Sequence, residues 1–404
     1  MPTDADVPQR ARAARSGGNG SAGHVLDLIR QAGGLTRAEI LEQTGLARTT
    51  VTSRLAALQA ADLVTTGGTS AAVRGRPPSQ FLFREDTGAL LLADAGATGV
   101  RTALTDLGGA IRHERREELD ITIGPEAWLT EVSRLFAELV AEDGCEPAFV
   151  RGIGVALPGP VDFASGTVVR PPIMPGWNGF PIRTWFAQTY DCPVIVDKDA
   201  NAMATGEHAE AHGEHGSMLM LKVATGIGAG LVIDGRIYRG EQGAAGDLGH
   251  IQVGPLDGRA APLCRCGNVG CIEAYAAGWA LVRDLQEQGR DVHQVADLAA
   301  LVKLGDPTVV GMTREAGRTI GIALSDAVNL LNPGVVVIGG ELGDVADNLV
   351  TGIREVVYAR SLTLATRTLE IKTATLGRRA GLIGLARTLT DHVYDPARVN
   401  ARLG

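Results

Sequence analysis

Between Gly246 and Glu273 the chain reads GDLGHIQVGPLDGRAAPLCRCGNVGCIE, and three of its five cysteines, Cys264, Cys266 and Cys271, fall within eight residues. His250 stands a short loop upstream. Three thiolates and one imidazole make the full ligand set of a closed tetrahedral zinc site. With no coordination position left open, such a zinc is structural and not a Lewis acid. The other reading, reduced cysteines packed into a core, lacks apolar neighbours, because Arg265, Gly267 and Asn268 have loop character. Whatever the fold, it must bring His250 and the three cysteines to one point. Carboxylates lie at both ends of the same stretch, Asp247 and Glu273. If zinc clamps the loop, both become rigid acceptors of the kind that hold sugar hydroxyls; otherwise they are ordinary surface acids.

A chain of 404 residues with 45% apolar content exceeds the size of a single core, so two or three domains are expected. No run approaches the 18 apolar residues of a membrane span, and the polar, Arg-containing start lacks an apolar signal core. The expectation is a cytoplasmic protein without a membrane partner, with Cys145 and Cys192 reduced bystanders. Charge is uneven. Residues 1–88 hold ten arginines against eight acids, while the whole chain stands at −8. A mildly basic head on an acidic body suits a nucleic-acid reader joined to a small-molecule domain.

Residues 1–20 have no apolar period and are expected to be a disordered tail, with Arg10, Arg12 and Arg15 available to DNA phosphates. From His24 to Gln31, Val25, Leu28 and Ile29 recur at helical spacing. Thr36-Arg-Ala-Glu39 is a capping box that opens a second helix, and Gly45 closes it. A third helix spans about Ala47 to Ala61 and buries Val51, Leu55 and Leu58. This is helix-turn-helix geometry over residues 21–85. Arg48, Thr49, Thr50, Thr52, Ser53 and Arg54 cluster toward the leading end of the third helix, as donors for phosphates and base edges in the major groove. Residues 62–83 read as a wing, with Leu63-Val64 going out and Phe81-Leu82-Phe83 returning. Arg74 and Arg76 lie between them, placed for phosphate or the minor groove. The competing reading is a small helical docking module. Ala47 is a poor N-cap, a position where Ser stabilises a helix by about 1 kcal/mol.

Beyond residue 86 the pattern changes to alternating strands and helices. Strand Ala89–Ala95 carries Asp94, then come Gly96 and Thr98, and a second strand runs from Val100 to Thr105. A strand-end Asp before a Gly-containing hairpin places backbone N–H groups near phosphate and the acid toward a hydrated metal, although an ordinary hairpin has the same form. Trp128, Val132, Leu135, Phe136 and Leu139 line one face of a helix over Glu126–Val140. Val150 to Leu157 is a buried strand; a helix near Ile182–Tyr190 leads to strand Pro193–Asp197. Lys198-Asp199-Ala-Asn201 then opens a helix. Strand-then-helix sets Asp199 at a cleft mouth, where it takes the proton of an attacking hydroxyl in phosphoryl transfer or serves as an N-cap. A second half repeats the plan: strand Ser217–Val223, the loop Thr225-Gly226-Ile-Gly228-Ala-Gly230, helices near Ala277–Gln288 and Val309–Leu331, and strand Val335–Ile338 before Gly339-Gly340. Two such halves argue for an α/β, two-lobed actin-like fold of the ribonuclease-H type behind the winged helix-turn-helix. The lobes are expected at 86–200, completed by a C-terminal helix about 378–392, and at 201–377 with the cysteine loop.

These motifs resemble the ROK family (repressors, open reading frames and sugar kinases), whose mark is G-x-x-G-E-x-G-H followed by C-x-C-G-x-x-G-C-x-E. Here it runs through Gly243, Gly246, Asp247, Gly249 and His250, then Cys264 to Glu273, with Asp247 in place of the usual Glu. The resemblance covers nearly the whole chain. It implies sugar contacts at Gly159, Lys198, Asp199, Asp247, His250 and Glu273, with Asp199 the base if the protein is a kinase. It implies ATP contacts at Asp94, Gly96, Thr98, Thr225, Gly226, Gly228, Gly339 and Gly340, with Mg2+. Two departures bear on these. Ala97 replaces the second Gly of D-x-G-G-T, setting a methyl near the phosphates, and Lys198 replaces an Asn, offering donors only. The resemblance implies a sugar-responsive transcriptional repressor bound to a double-stranded DNA operator as a homodimer or homotetramer. The expectation is a sensor more than an enzyme. The alternatives are an ATP-dependent hexose kinase or a bifunctional protein.

Overall fold

The computed structural model describes residues 20–69, 79–256, 258, 260–343 and 347–403. The expected tail over 1–20 and Arg74 and Arg76 of the wing therefore lie, apart from Gly20, outside the described residues. The chain forms two compact units, residues 1–87 with 391–404, and residues 88–390.

In the first unit, helices Ala22–Ala32, Arg37–Thr44 and Arg48–Ala60 follow one another. Their limits have local causes. Ser21 accepts from the His24 N–H, and Gly33 ends the first helix in the left-handed region. Thr36 and Glu39 form the full reciprocal capping box, and Gly45 closes that helix at φ +67°. Ala47 gives the third helix no side-chain cap. Val25, Leu26, Ile29, Ile40, Val51, Leu55 and Leu58 are buried between the helices, whereas Leu28 is only half-buried. The wing is an antiparallel sheet in the order Leu35–Thr36, Ser79–Phe83, Val64–Thr69. A helix with no counterpart in the sequence analysis, Pro396–Leu403, completes this unit. Gly23 donates its N–H to Asn400 Oδ1 at 2.8 Å, and a Cβ there would stand 2.2 Å from the Pro396 carbonyl oxygen. Only glycine permits that approach. Tyr394 stacks edge-on against Phe83 at 5.0 Å, and Arg30 reaches over both rings to Asp391.

The second unit holds two five-stranded sheets of matching design. The first is ordered Val194–Lys198, Val150–Leu157, Ala89–Ala95, Gly99–Thr105, Ile111–Glu118. Its first three strands are parallel and the last two join antiparallel. The second sheet runs Arg236–Tyr238, Ile227–Ile233, Ser217–Val223, Val335–Gly339, Glu370–Thr373, again three antiparallel members followed by parallel ones. This is the two-lobed actin-like plan. The edge strand Ile111–Glu118 escapes a sequence reading because charged side chains fill it, as edges favour. Helix Pro125–Asp143 buries the expected Trp128, Val132, Leu135, Phe136 and Leu139. The helix expected to reach Tyr190 stops at Phe186. Thr189 and Tyr190 instead both donate to the Phe186 carbonyl, ahead of Pro193. Helix Ala380–Val393 lies against helix Asp199–Ala211 through small residues: a Cβ on Gly384 would meet the Ala202 carbonyl at 1.8 Å. Among the described residues no helix is long and apolar enough to cross a membrane.

Candidate functional site

The ligand atoms of His250, Cys264, Cys266 and Cys271 all lie within 4.8 Å of one another. Cys264 Sγ is 3.8 Å from His250 Nδ1, and Cys266 Sγ is 3.7 Å from Cys271 Sγ. A tetrahedral zinc with sulfur at about 2.3 Å and nitrogen at about 2.0 Å has edges of roughly 3.6–3.8 Å. The residues fit the ion. A short hairpin makes this possible, with Leu263 bridged to Val269, Cys264 N–H bonded to the Asn268 carbonyl, and Gly267 and Gly270 at positive φ. Burial, then the neighbouring thiols, pushes Cys271 up to about 12; a bound divalent cation reverses that penalty.

The cluster is coupled to its surroundings on both sides. Cys271 is the N-cap of helix Ile272–Ala276, which carries Glu273. Glu273 Oε2 accepts from the Ile227 N–H at 3.0 Å and Oε1 lies 3.4 Å from the Trp279 indole nitrogen, so protein donors engage both oxygens. Upstream, Gly246 and Gly249 press the segment bearing Asp247 onto strand Ile227–Ile233, where a Cβ on either would fall 2.1 and 2.3 Å from the Ala229 and Ile227 carbonyl oxygens.

Asp247 meets Lys198. The Lys198 ammonium, on a residue only 4% exposed, donates to Asp247 Oδ1 at 3.0 Å and to the Ala245 carbonyl at 2.9 Å. Lys198 in place of Asn and Asp247 in place of Glu thus meet in one ion pair, a longer cation facing a shorter anion. Register places the remaining site residues at the carboxyl ends of the central strands: Ala156 pairs with Asp94 and Asp197, Leu157 pairs with Lys198, and Gly159 follows two residues on. This is where open α/β sheets bind ligands.

Asp199, buried at the start of its helix, is held by Lys222 from the second sheet. Burial alone would lower Lys222; Asp199 and Asp94 outweigh it and raise the ammonium above its ordinary value. Asp94 is pushed up to about 6, by burial first and then against Asp199, with Lys222 opposing. Lys222 was not singled out from the sequence. Its signal was a lone cation in the apolar run Met218–Val223. Arg239 is a second omission: its guanidinium donates twice to Asp197 Oδ2, at 3.0 and 2.6 Å, and lies 3.8 Å from the Phe163 ring centre. Asn201 Nδ2 donates to Asp197 Oδ1 at 2.8 Å, while its buried Oδ1 has no hydrogen-bond partner among the described residues.

The glycine turns converge in the same region. Gly96 and Thr98 lie in the hairpin after Asp94, where Gly96 N–H donates to the Gly99 carbonyl. Thr225 and Gly226 form the tight turn between Ser217–Val223 and Ile227–Ile233, with Gly228 opposite Lys222. Gly339 also pairs with Lys222, and Gly340, at φ +89°, packs on the Val223 carbonyl. On the first unit, Arg48, Thr49, Thr52, Ser53 and Arg54 are exposed and Thr50 is half-buried. Thr52 bonds back to the Arg48 carbonyl, and Arg54 Nε donates to the Gly20 carbonyl.

The ROK family model matches residues 91–391. The chain belongs to the ROK family. A winged helix-turn-helix DNA-binding model matches residues 22–65, so this ROK protein carries a DNA-reading head before a sugar-kinase-like domain. The xylose repressor of Bacillus subtilis (strain 168) is 28% identical over 362 residues, covering 89% of this chain and 92% of that protein. The crystal structure of a ROK family transcriptional regulator, a homologue of the E. coli MLC protein, superposes with a TM-score of 0.78 at 26% identity, covering 94% of this chain and 97% of that one. A glucokinase of Streptomyces coelicolor is 30% identical over 321 residues, covering 72% of this chain and 95% of the kinase. That likeness to a sugar kinase overturns the expectation of a sensor more than an enzyme.

Proposed function

We infer that this ROK protein is a sugar-responsive transcriptional regulator, a repressor that reads a double-stranded operator with its winged head. The observation that carries this reading is the union, along one chain, of an exposed donor cluster on the third head helix with a kinase-type cleft, in a chain similar over 89% of its length to the xylose repressor. Phosphate-directed Arg48 and Arg54 supply affinity, and Thr49, Thr52 and Ser53 face the base edges. In the cleft the Lys198–Asp247 pair offers one donor and one acceptor group to adjacent hydroxyls of a sugar or sugar derivative. A sugar that binds the closed lobes better than the open ones shifts the population, and the operator affinity follows by linkage. Zinc in the Cys3His cluster is structural. Two copies match a palindromic operator, as a homodimer or a pair of dimers, working in the cytoplasm.

A second reading concerns phosphoryl transfer, favoured by Asp199 at the cleft mouth and by the glycine turns at Thr225–Gly228 and Gly339-Gly340. Mg-ATP supplies the phosphoryl group when bound. Asp199 receives the proton of the attacking hydroxyl, with Lys222 held at its Oδ2. The test is fluorescence anisotropy of labelled operator against a sugar panel, with ADP release followed on every hit. A sugar that changes operator affinity supports the regulator reading, and turnover abolished in Asp199→Ala adds the kinase reading. Sugars that bind without altering operator affinity would overturn regulation by this cleft.

A further inference from the structure

The last turn of helix Asp199–Ala211 and the turn that follows it read His208-Ala-Glu-Ala-His212-Gly-Glu214-His215, so three of the chain's eight histidines fall within eight residues. His212, the C-cap, is 4% exposed, and among the described residues neither of its ring nitrogens has a hydrogen-bond partner. Its nearest carboxylate, Glu207, stands 3.8 Å away. Glu207 is already engaged, accepting from the Thr375 and Leu376 N–H groups at 3.0 and 2.7 Å. A buried polar group without a partner costs about 1–3 kcal/mol. Such a cost points to a ligand.

The adjoining side chains supply the rest of a site. His215 Nε2 lies 3.4 Å from Glu214 Oε1 and 3.7 Å from Glu370 Oε2. One donor atom each from His212, Glu214 and His215 all fall within 4.8 Å of one another. Two ligands sharing a metal at about 2.0–2.1 Å stand roughly 3–4 Å apart, so His215 and Glu214 already have ligand spacing, and His212, within 4.8 Å of both, needs to close by at most about 1–2 Å. The turn is fixed in place: His215 N–H donates to the His212 carbonyl at 3.0 Å, and the His208 ring bonds the His215 carbonyl at 2.9 Å. Gly334 leaves room for the His215 ring, since a Cβ there would stand 2.8 Å from Nδ1.

We propose that His212, Glu214 and His215 form a second metal site, separate from the cysteine cluster, for a borderline divalent cation such as Zn2+ or Ni2+. Two imidazoles and a carboxylate suit these ions, whereas Mg2+ and Ca2+ take oxygen ligands. Glu370, which also pairs with Lys372 at 2.5 Å, is within reach as a further ligand. An ion here ties the C-terminal end of the Asp199 helix, opposite the end that carries Asp199, to strand Glu370–Thr373.

The test is calorimetric titration of tag-free, full-length protein already holding one equivalent of zinc, using Zn2+ as the probe. A parallel Co2+ titration is followed by absorption. The expected result is a second bound equivalent whose Co2+ spectrum lacks a thiolate charge-transfer band. Glu214→Gln and His215→Ala should each weaken that second event by at least about tenfold while leaving the first equivalent in place. Glu214 is exposed, so its variant keeps the test open should the histidine variant fold poorly. A single equivalent in the wild-type protein, or a second event unchanged in both variants, would overturn the proposal.

Discussion

Lys198 and Asp247 show how two separate departures from a motif become one interaction. Alone, Asp247→Ala leaves a buried ammonium with only the Ala245 carbonyl, and should cost about 1–3 kcal/mol, less than a fully buried pair because Asp247 is half exposed. The double change Lys198→Asn with Asp247→Glu restores the family's own pair. A double-mutant cycle read by chemical denaturation should show coupling of about 1 kcal/mol or more; additive effects would show the two positions acting independently. Asp94 has a different signature. Its carboxyl rises from 3.8 to about 6 on folding, so the folded chain binds that proton more tightly than the unfolded one. Its contribution to stability is therefore greatest in acid and is lost as pH climbs through about 6. Asp94→Asn should remove this slope and stabilise the protein at neutral pH by on the order of 2 kcal/mol, measured as melting temperature across about pH 4.5 to 8. An unchanged pH profile would show Asp94 already ionised at low pH. These partners explain the limit of a sequence reading at this scale. Asp94 and Asp199 were legible as strand-end acids, but the Lys222 and Arg239 that hold Asp199 and Asp197 come from a different sheet and the segment after it.

Elements defined by their own residues were read most fully. The Thr36–Glu39 box and Gly45 act within a turn or two, and the first and third head helices carry Val25, Leu28, Ile29 and Val51, Leu55, Leu58 at helical spacing, so all three stood out before any tertiary contact was known. Helix Pro396–Leu403 did not, because what seats it is distant in sequence: Gly23 donates to Asn400 and leaves room for the Pro396 carbonyl. The third head helix makes two opposite predictions. Ala47→Ser supplies the missing N-cap and should stabilise the head by about 1 kcal/mol without weakening operator binding. Arg48→Ala, at an exposed position, should weaken binding and lower the salt slope of log K by about 1, the mark of one lost phosphate contact. Salt titrations of operator affinity on both variants check the pair. An unchanged slope for Arg48→Ala would move the DNA contact to another face.

At the scale of the whole second unit, the cysteine cluster is the place where distant parts of the cleft are fastened together. On one side Cys271 starts the helix whose Glu273 holds the Ile227 N–H, directly beside the Thr225–Gly228 turn. On the other, His250 lies three residues from Asp247, the partner of Lys198 in the opposite lobe. A cation in the cluster thus fixes both the phosphate-loop side and the sugar side of the cleft through short stretches of covalent chain, and its loss should be felt as affinity as well as stability. Cys266→Ser removes one ligand from an only partly buried position, which separates this effect from any ion held at His212 and His215. The variant should release its zinc to a chelator that leaves the wild-type protein loaded, melt at lower temperature, and bind its sugar at least about tenfold more weakly. Sugar affinity held at the wild-type level in zinc-free Cys266→Ser would confine the cluster to a local staple. The cleft would then owe its shape to the sheets alone.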